Sequence, residues 1–333
     1  MRVLHDGDAD LELLRGRTVA VIGYGNQGRA QALNLRDSGI DVLIGSIRDA
    51  SAAEAEAEGF PVVSIAEAAR RADALALLIP DEVQREVYHA EVAPHLRPGQ
   101  VLAFAHGYNV HFGLIRPPAL VDVILVAPRM LGVNLRRSFE RGRGVPAYVA
   151  VAQDASGRAR ALALAWAKGI GATRAGVLET TFAEETELDL FTEQGVWPII
   201  VRDLLCSYEV LVEAGFPPEM VALELYGSGE AGEIFGQMAR LGLFGQMRLH
   251  SHTSQYGTLS RGLRMLPDDV RDRLRAALAE IRSGRFAAEW SREQAAGYPV
   301  FEELRRHALA HDINKAERLA QEMRRRAGLD DGE

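Results

Sequence analysis

The sequence has very little cysteine and lysine and no long apolar run. Its one cysteine, Cys206, cannot form an internal disulfide, which excludes a disulfide-stapled secreted domain. No run approaches the ~20 apolar residues that would span a bilayer, and the acidic segment Met1–Asp10 has no signal-peptide core. The net charge of -8 offers no basic surface for nucleic acid. We therefore expect a cytoplasmic protein whose partners are small molecules or copies of itself.

The cationic residues are almost all arginine. Lys168 and Lys315 are the only lysines among 38 cationic side chains, and we attribute this bias to genome composition. The remaining composition is ordinary, because 47% hydrophobic and 25% charged residues in a chain of 333 fit about two soluble globular domains.

The two halves of the chain have different patterns. In the first half, short apolar runs alternate with alanine-rich segments of helical length, which predicts an α/β domain with a Rossmann-like, doubly wound parallel sheet. After about Thr181 only helical patterns follow, which predicts an all-α second domain. We place the domains at residues 1–181 and 182–328, with a solvated tail at 329–333. The apolar runs are Val19–Ile22, Val42–Ile44, Leu75–Ile79, Val101–Ala105, Val123–Ala127 and Tyr148–Ala152.

A glycine-rich segment follows the first apolar run. Gly23, Gly25 and Gly28 have the G-x-G-x-x-G spacing between a strand and a helix. The first glycine permits a tight turn, the second lets a pyrophosphate approach the backbone, and the third lets the helix pack on the strand. We predict a dinucleotide site here; the alternative is that the glycines only make the turn. The predicted binding residues are Gly23, Tyr24, Gly25, Asn26, Gln27 and Gly28.

The residues that distinguish NADPH from NADH are expected at the end of the second strand. Ser46, Arg48 and Ser51 stand there and can surround the 2′-phosphate of NADPH. Asp49 stands beside them and would instead bind the 2′-hydroxyl of NADH. We predict NADPH, with NADH as the alternative in which Arg48 is only a solvated charge.

Polar residues also follow two later strands. His106 comes after Val101–Ala105, and Arg129 comes after Val123–Ala127. Ligands of open parallel sheets bind at the carboxyl ends of strands, so both side chains are expected near a substrate. We predict that His106 orients the substrate or relays protons.

Two carboxylates open the second half. Asp189 and Glu193 lie four residues apart in a segment with a helical pattern. Side chains at this spacing share a helix face, about 6 Å apart, and can hold one hard divalent cation together with waters. A nucleotide site followed by such a pair suggests hydride transfer next to a metal.

Together these residues resemble ketol-acid reductoisomerase, a family of branched-chain amino-acid biosynthesis that migrates an alkyl group and then reduces the product with NADPH at two Mg²⁺ ions. The single helical domain is similar to the short, class I form. The resemblance implies a knotted helical domain like that of 6-phosphogluconate dehydrogenase and an active site shared within a homodimer. The segments that carry it are Gly23–Gly28, Phe104–Gly107, Gln153–Gly157, Glu179–Phe182, Asp189–Gln194, Leu211–Met220, Tyr256–Gly257, Ile281–Ala287 and Gly297–Pro299.

The resemblance also implies roles for single residues. Asp189 and Glu193 look like the first metal-binding carboxylates, with Asp189 as the bridge between the ions and Glu193 also part of the catalytic group. Glu224 looks like a metal ligand contributed by the partner subunit. Ser251 looks like the residue that holds the substrate carboxylate, and His106 like the active-site histidine of the family.

Two departures from the family pattern affect this site. Where the family has a lysine, this chain has Arg129, and a planar guanidinium does not replace an ammonium point charge. The family has a second glutamate four residues after the first, but Ser228 stands four residues after Glu224, and Glu230 is the next match. Either the glycines between them unwind the helix and return Glu230 to the metals, or the second metal is weakened or lost.

The sequence therefore predicts a metal-assisted, NADPH-dependent reductase of this family. The departures favour a divergent paralogue with a weakened isomerase step that reduces a 2-keto acid, a related ketone or an imine. An authentic acetolactate reductoisomerase is the first alternative. A non-catalytic nucleotide-sensing protein is the second, and the presence of His106, Asp189, Glu193 and Ser251 argues against it.

Overall fold

The computed structural model describes residues 1–266 and 268–329. The chain divides into two compact units, one of residues 1–189 and one that starts at Leu190. This division falls within a helix, whereas the sequence placed the boundary between residues 181 and 182. Of the predicted tail, residues 330–333 lie outside the described residues.

In the described part of the chain, nine strands of the first unit form one sheet in the order β1-β9-β8-β7-β6-β5-β2-β3-β4. Each apolar run predicted to be a strand overlaps one of them, and the runs Leu75–Ile79 and Val101–Ala105 extend beyond the ends of their strands. The short strands β1, β4 and β9 were not predicted. The strands are β1 (Val3–Leu4), β2 (Thr18–Ile22), β3 (Asp41–Gly45), β4 (Val62–Val63), β5 (Ala74–Leu77), β6 (Val101–Phe104), β7 (Asp122–Pro128), β8 (Ala147–Gln153) and β9 (Val177–Glu179).

The sheet is mainly parallel, as predicted, with two antiparallel pairs, because β8 runs antiparallel to β7 and β1 antiparallel to β9. The segment after β7 explains the first pair. The Gly132 amide donates to Asn26 Oδ1 at 2.6 Å, and Arg136 donates to Asn34 Oδ1 at 3.0 Å, so this segment packs on the first helix. The chain thus stays at the carboxyl edge of β7, and β8 returns from that edge.

Helices cover both faces of the sheet. Along β2, Val19 and Val21 belong to one buried cluster, and Ala20 and Ile22 belong to the other. Alternate residues of a strand point to opposite faces, so a sheet buried on both sides reads as a continuous apolar run. The helices of this unit are α1 (Asn26–Asp37), α2 (Ala50–Ala57), α3 (Ile65–Arg71), α4 (Asp81–Val87), α5 (Tyr108–His111), α6 (Gly132–Glu140), α7 (Ala159–Gly169) and α8 (Phe182–Phe191), whose last residues pass into the second unit.

The second unit is helical as far as the structure describes it. A small core gathers around Tyr208, Val221, Ala222 and Ala316. The predicted α/β first half and helical second half are therefore confirmed. The helices are α9 (Trp197–Glu213), α10 (Pro218–Ala222), α11 (Glu230–Leu241), α12 (His252–Met265), α13 (Val270–Arg282), α14 (Arg285–Ala295), α15 (Pro299–Ala310) and α16 (Ile313–Arg326).

Shorter helical turns connect these elements. Within residues 1–266 and 268–329, no helix is both long and apolar enough to span a membrane. The 3₁₀ turns are Asp6–Asp8, Leu11–Leu13, Ala93–His95, Ala172–Arg174 and Gly245–Leu249, and the π-helical turns are Tyr88–Val92, Thr192–Val196 and Leu223–Gly227.

Candidate active site

The glycine-rich turn between β2 and α1 has the geometry that its spacing predicts. Gly23 has a φ of +90°, in the left-handed region that favours glycine. A Cβ at Gly28 would lie 2.3 Å from the Gly23 carbonyl oxygen, so only glycine lets α1 approach β2 here. A Cβ at Gly25 would meet no atom within 4 Å, which leaves open space at the N-terminus of α1. A pyrophosphate fits such a position because helix N-termini bind anions.

A cavity of about 500 Å³ opens beside this turn. Tyr24, Gly25 and Asn26 line one side, and Ser51 and Glu54 of the α2 segment line another. The wall opposite is fixed by the hydrogen bond between the Gly132 amide and Asn26, and by Gln27 Nε2, which donates to the Met130 carbonyl at 2.9 Å. The residues present therefore fit the phosphate and ribose portion of a dinucleotide.

The loop after β3 holds the residues predicted to choose the cofactor. Asp49 is the N-cap of α2, where its Oδ1 accepts from the Ala52 amide at 2.9 Å and from Ser51 Oγ at 2.7 Å. These two hydrogen bonds lower the pKa of Asp49. Arg48 is exposed, and Ser46 is fixed by its amide, which donates to the Val63 carbonyl at 3.1 Å. The Asp49 carboxylate therefore caps α2, and Arg48 provides an exposed positive charge in the loop.

Strand β6 delivers His106 to the carboxyl edge of the sheet. Its Nδ1 lies 3.2 and 3.1 Å from the two carboxylate oxygens of Glu185, which accept from it. Its Nε2 lies 3.9 Å from Oδ2 of Asp81, a residue at the start of α4. His106 is thus held between acids from two helices, and Nε2 is the ring atom left for proton exchange.

The neighbouring acids shift the titration of this histidine. Burial acts to lower the pKa of His106, but the hydrogen bond to Glu185 and the charges of Glu185, Asp81 and Asp189 outweigh it and raise the pKa to about 9. Burial also raises the pKa of Asp81 to about 6, opposed by the charge of His106. The acids around His106 therefore favour the protonated imidazole.

Glu185 is the centre of this group, although it is not among the residues predicted from the sequence. Its side chain is only 1% exposed. Besides His106, it accepts from the Gly107 amide at 2.8 Å and from Arg129 Nη1 at 3.1 Å. A Cβ at Gly107 would lie 2.5 Å from Thr186 Oγ1, so the glycine lets α8 come this close. These hydrogen bonds offset the free-energy cost of burying the Glu185 carboxylate.

Asp189 lies one helical turn after Glu185 and is more exposed. Ligand atoms of His106, Glu185 and Asp189 lie within 4.8 Å of one another. The Asp189 side chain is 27% exposed, forms an ion pair with Arg129 Nη2, and places Oδ2 3.7 Å from His106 Nδ1. Hard ions such as Mg²⁺ take carboxylate oxygens, whereas imidazole suits softer metals. The donor set therefore fits Mg²⁺ through Asp189, with Glu185 orienting the neighbouring groups.

Arg129 leaves the end of β7 and enters the same group. Its amide donates to the Pro146 carbonyl at 2.8 Å, and its guanidinium lies 5.2 Å from the ring centre of Tyr148. The guanidinium contacts both Glu185 and Asp189. The structure thus brings His106 and Arg129, which follow two strands, together with Asp189 of α8.

The predicted pair of Asp189 and Glu193 spans the end of α8. Helix α8 ends at Phe191, and Glu193 lies in the π-helical turn Thr192–Val196. The same spacing of four residues holds between Glu185 and Asp189, both within α8. Wider π-helical turns occur often at functional sites.

The remaining predicted residues lie in the second unit. Glu224 is in the π-helical turn Leu223–Gly227, and Glu230 is the first residue of α11. Gly229 separates them with a φ of +91°, so the helix ends and restarts between Glu224 and Glu230. Ser251 is the N-cap of α12, where its Oγ accepts from the Ser254 amide at 3.2 Å.

Sequence profiles of two domains match the chain. One is described as acetohydroxy acid isomeroreductase, NADPH-binding domain, and matches residues 13–176. The other is described as ketol-acid reductoisomerase, C-terminal domain, and matches residues 182–326. The two profiles thus meet within six residues of the predicted domain boundary.

Single proteins match over nearly the full length. The chain is 49% identical to a ketol-acid reductoisomerase (NADP(+)) of Pyrobaculum calidifontis and 48% identical to that of Pyrobaculum aerophilum, each match covering 97% of this chain and 98% of the relative. A structure of an NADH-preferring ketol-acid reductoisomerase from an uncultured archean aligns with a TM-score of 0.92 at 39% identity, covering 97% of this chain and 99% of that one. Members of this family are NAD(P)H-dependent oxidoreductases that use Mg²⁺. The chain belongs to the ketol-acid reductoisomerase family.

Proposed function

We propose that this protein is an authentic acetolactate reductoisomerase of branched-chain amino-acid biosynthesis. It migrates an alkyl group of the substrate and reduces the resulting 2-keto acid with NADPH. The observation that carries the proposal is the group of His106, Glu185, Asp189 and Arg129 at the carboxyl edge of the sheet, in a chain 49% identical to one such enzyme over 97% of its length. We also propose a cytoplasmic location.

This proposal reverses the order of preference of the sequence analysis, which favoured a divergent reductase with a weakened isomerase step. The near-full-length similarity to relatives named ketol-acid reductoisomerase (NADP(+)) favours the alternative. It also argues against a protein that only senses nucleotides. Arg129 is the structural observation that most favours the divergent reductase, because it pairs with both carboxylates where the family has a lysine.

The contacts of each residue in the first unit indicate its role in the reaction. When bound, NADPH supplies the hydride, and Mg²⁺ supplies positive charge next to the substrate oxygens. Asp189 would hold the metal. Glu185 fixes His106 through Nδ1, which leaves Nε2 to hold a proton near the substrate. Arg129 adds a fixed positive charge beside the same carboxylates.

The residues of the second unit enter the proposal through the family pattern. Glu193 would be a metal ligand and part of the catalytic group. Glu224 and Glu230 would be metal ligands from the partner subunit, and Ser251 would hold the substrate carboxylate. The break at Gly229 supports an independent placement of Glu230, because α11 starts there as a new helix.

We further propose a homodimer or a higher homo-oligomer. Large apolar side chains of the second unit are open to solvent, including Phe244 at 70%, Met265 at 71% and Leu309 at 64% exposure. Exposed apolar surface of this kind is typical of a protein interface. Twofold symmetry is the commonest arrangement of such assemblies.

The proposed function predicts similar turnover on two substrates. The first is 2-acetolactate, which requires alkyl migration before reduction, and the second is the already rearranged 3-hydroxy-2-keto acid. We expect the two NADPH oxidation rates to agree within about tenfold. This corresponds to activation free energies that differ by no more than ~1.4 kcal/mol. Both rates are measured by NADPH absorbance at saturating Mg²⁺. A rate on 2-acetolactate that is lower by several orders of magnitude would favour the divergent reductase.

We also expect NADPH to bind more tightly than NADH. Asp49 caps α2, whereas Arg48 is exposed and can meet a 2′-phosphate together with the first amides of that helix. Fluorescence titration with both cofactors measures the ratio of the NADPH affinity to the NADH affinity. Arg48→Ala should reduce this ratio by about tenfold, which is the effect of one charge-assisted hydrogen bond. Arg15→Ala, which removes an exposed arginine paired with Glu12, is the control. Equal affinities for both cofactors in the unmodified protein would show that Arg48 does not read the phosphate.

A further inference from the structure

The guanidinium of Arg129 contacts Asp189, where a metal would bind, and the neighbouring carboxylate of Glu185. Nη1 lies 3.1 Å from Glu185 Oε1, and Nη2 forms an ion pair with Asp189 Oδ1. A planar guanidinium can contact two carboxylates at once through separate nitrogens, which a lysine ammonium does less well. The two acids of α8 thus share one fixed internal cation.

The two acids depend on this cation to different degrees. Glu185 also accepts from His106 and from the Gly107 amide, so its charge is stabilised without Arg129. For Asp189 the other cationic neighbour described is His106, with its Nδ1 3.7 Å away. The ion pair with Arg129 is therefore the main contact that a metal ion must replace at Asp189.

The position of Arg129 makes this contact persistent. The residue follows β7 directly, its amide is held by the Pro146 carbonyl, and its guanidinium lies against the ring of Tyr148. The side chain is 33% exposed, so a charge there is only partly screened by water. Little conformational freedom is lost when such a preorganised cation meets Asp189.

We propose that Arg129 is an internal counter-ion that competes with Mg²⁺ for Asp189 and thereby sets a low metal affinity in the free protein. Metal binding then requires the guanidinium to leave Asp189, and the same step brings a released positive charge next to the incoming substrate. This inference rests on the proposed metal-dependent function, but it concerns the metal-binding equilibrium and not turnover.

The test is a calorimetric titration of the metal-free protein with Mg²⁺ alone, without cofactor or substrate. We expect Arg129→Met to bind Mg²⁺ about tenfold or more tightly than the unmodified protein, as loss of one partly buried competing ion pair predicts. The Mg²⁺ affinity of Arg129→Lys should lie between those of Arg129→Met and the unmodified protein. Arg160→Met is the matched control, because Arg160 also forms an ion pair, with Nη2 2.9 Å from Glu179 Oε2. The Mg²⁺ affinity of this variant should equal that of the unmodified protein.

A second measurement uses the unmodified protein, so that a poorly folded variant cannot decide the matter. In protein labelled with ¹⁵N-arginine, the side-chain signal that is missing from Arg129→Lys belongs to Arg129, and it should shift as Mg²⁺ is added. An Arg129 signal that does not move, or an Arg129→Met variant that binds Mg²⁺ no more tightly, overturns the inference while the proposed function stands. If neither protein binds Mg²⁺, the metal-dependent function fails as well.

Discussion

Asp189→Ala and Glu224→Ala are each expected to lower kcat/KM by at least about 10²-fold to 10³-fold, because each removes a charged ligand from a site that stabilises developing negative charge. A one-to-one mixture of the two variants should nevertheless recover about a quarter of the original activity, since half of randomly paired twofold dimers are mixed and each contains one intact site. The activity of coexpressed, differently tagged subunits measures this recovery.

The complementation separates a shared active site from a site within one subunit. Asp272→Ala is the control, because Asp272 is 75% exposed and pairs only with a neighbour on its own helix, Arg275, among the contacts described for it. Its activity should stay unchanged, as is usual for exposed ion pairs. A mixture of Asp189→Ala and Glu224→Ala with no more activity than its parents would show that the two acids do not act in one composite site.

The second large effect is expected at Glu185, although this residue need not touch the substrate. Glu185→Gln keeps an acceptor for the Gly107 amide but presents an amide group to His106 or Arg129, both of which donate to the native carboxylate. We expect kcat to fall by about 10²-fold to 10⁴-fold, the usual range when an acid–base group loses its orientation. The free energy of unfolding should fall by about 2 kcal/mol, because charged donors are left without a partner.

Urea denaturation and steady-state kinetics measure the two effects separately. Glu179→Gln is the matched control, because Glu179 also pairs with an arginine but is 46% exposed. Its free energy of unfolding should change by less than about 1 kcal/mol. A Glu185→Gln protein with normal kcat would show that the buried carboxylate of Glu185 has only a structural role.

The sequence was sufficient for features that depend on local patterns. The apolar runs of β2 and β5–β8 are continuous because both faces of the sheet are buried, and Gly23–Gly28 has a spacing that few other structures require. Strands β1, β4 and β9 have only two or three residues, too few to show a period. The antiparallel direction of β8 depends on the contact between Gly132 and Asn26, which no local pattern records.

The metal group shows a different limit of sequence reasoning. The spacing of Glu185 and Asp189 is the same as that of Asp189 and Glu193, so the first pair was as visible as the second. An acid on a helix is usually solvated, and the burial of Glu185 becomes evident only from its contacts with the Gly107 amide and His106. Likewise, no local pattern in the sequence indicates the π-helical turn Thr192–Val196, in which Glu193 lies.

The central claim is that the protein carries out alkyl migration as well as reduction, and the identity of its product tests this claim most directly. Incubation with 2-acetolactate, NADPH and Mg²⁺ should give a dihydroxy acid whose two methyl groups share one carbon, seen as two methyl singlets in the proton NMR spectrum. Direct reduction without migration leaves one methyl on a carbon that bears hydrogen, and that methyl appears as a doublet. A methyl doublet in the product, or no product beside rapid reduction of the rearranged 3-hydroxy-2-keto acid, would contradict the proposed function.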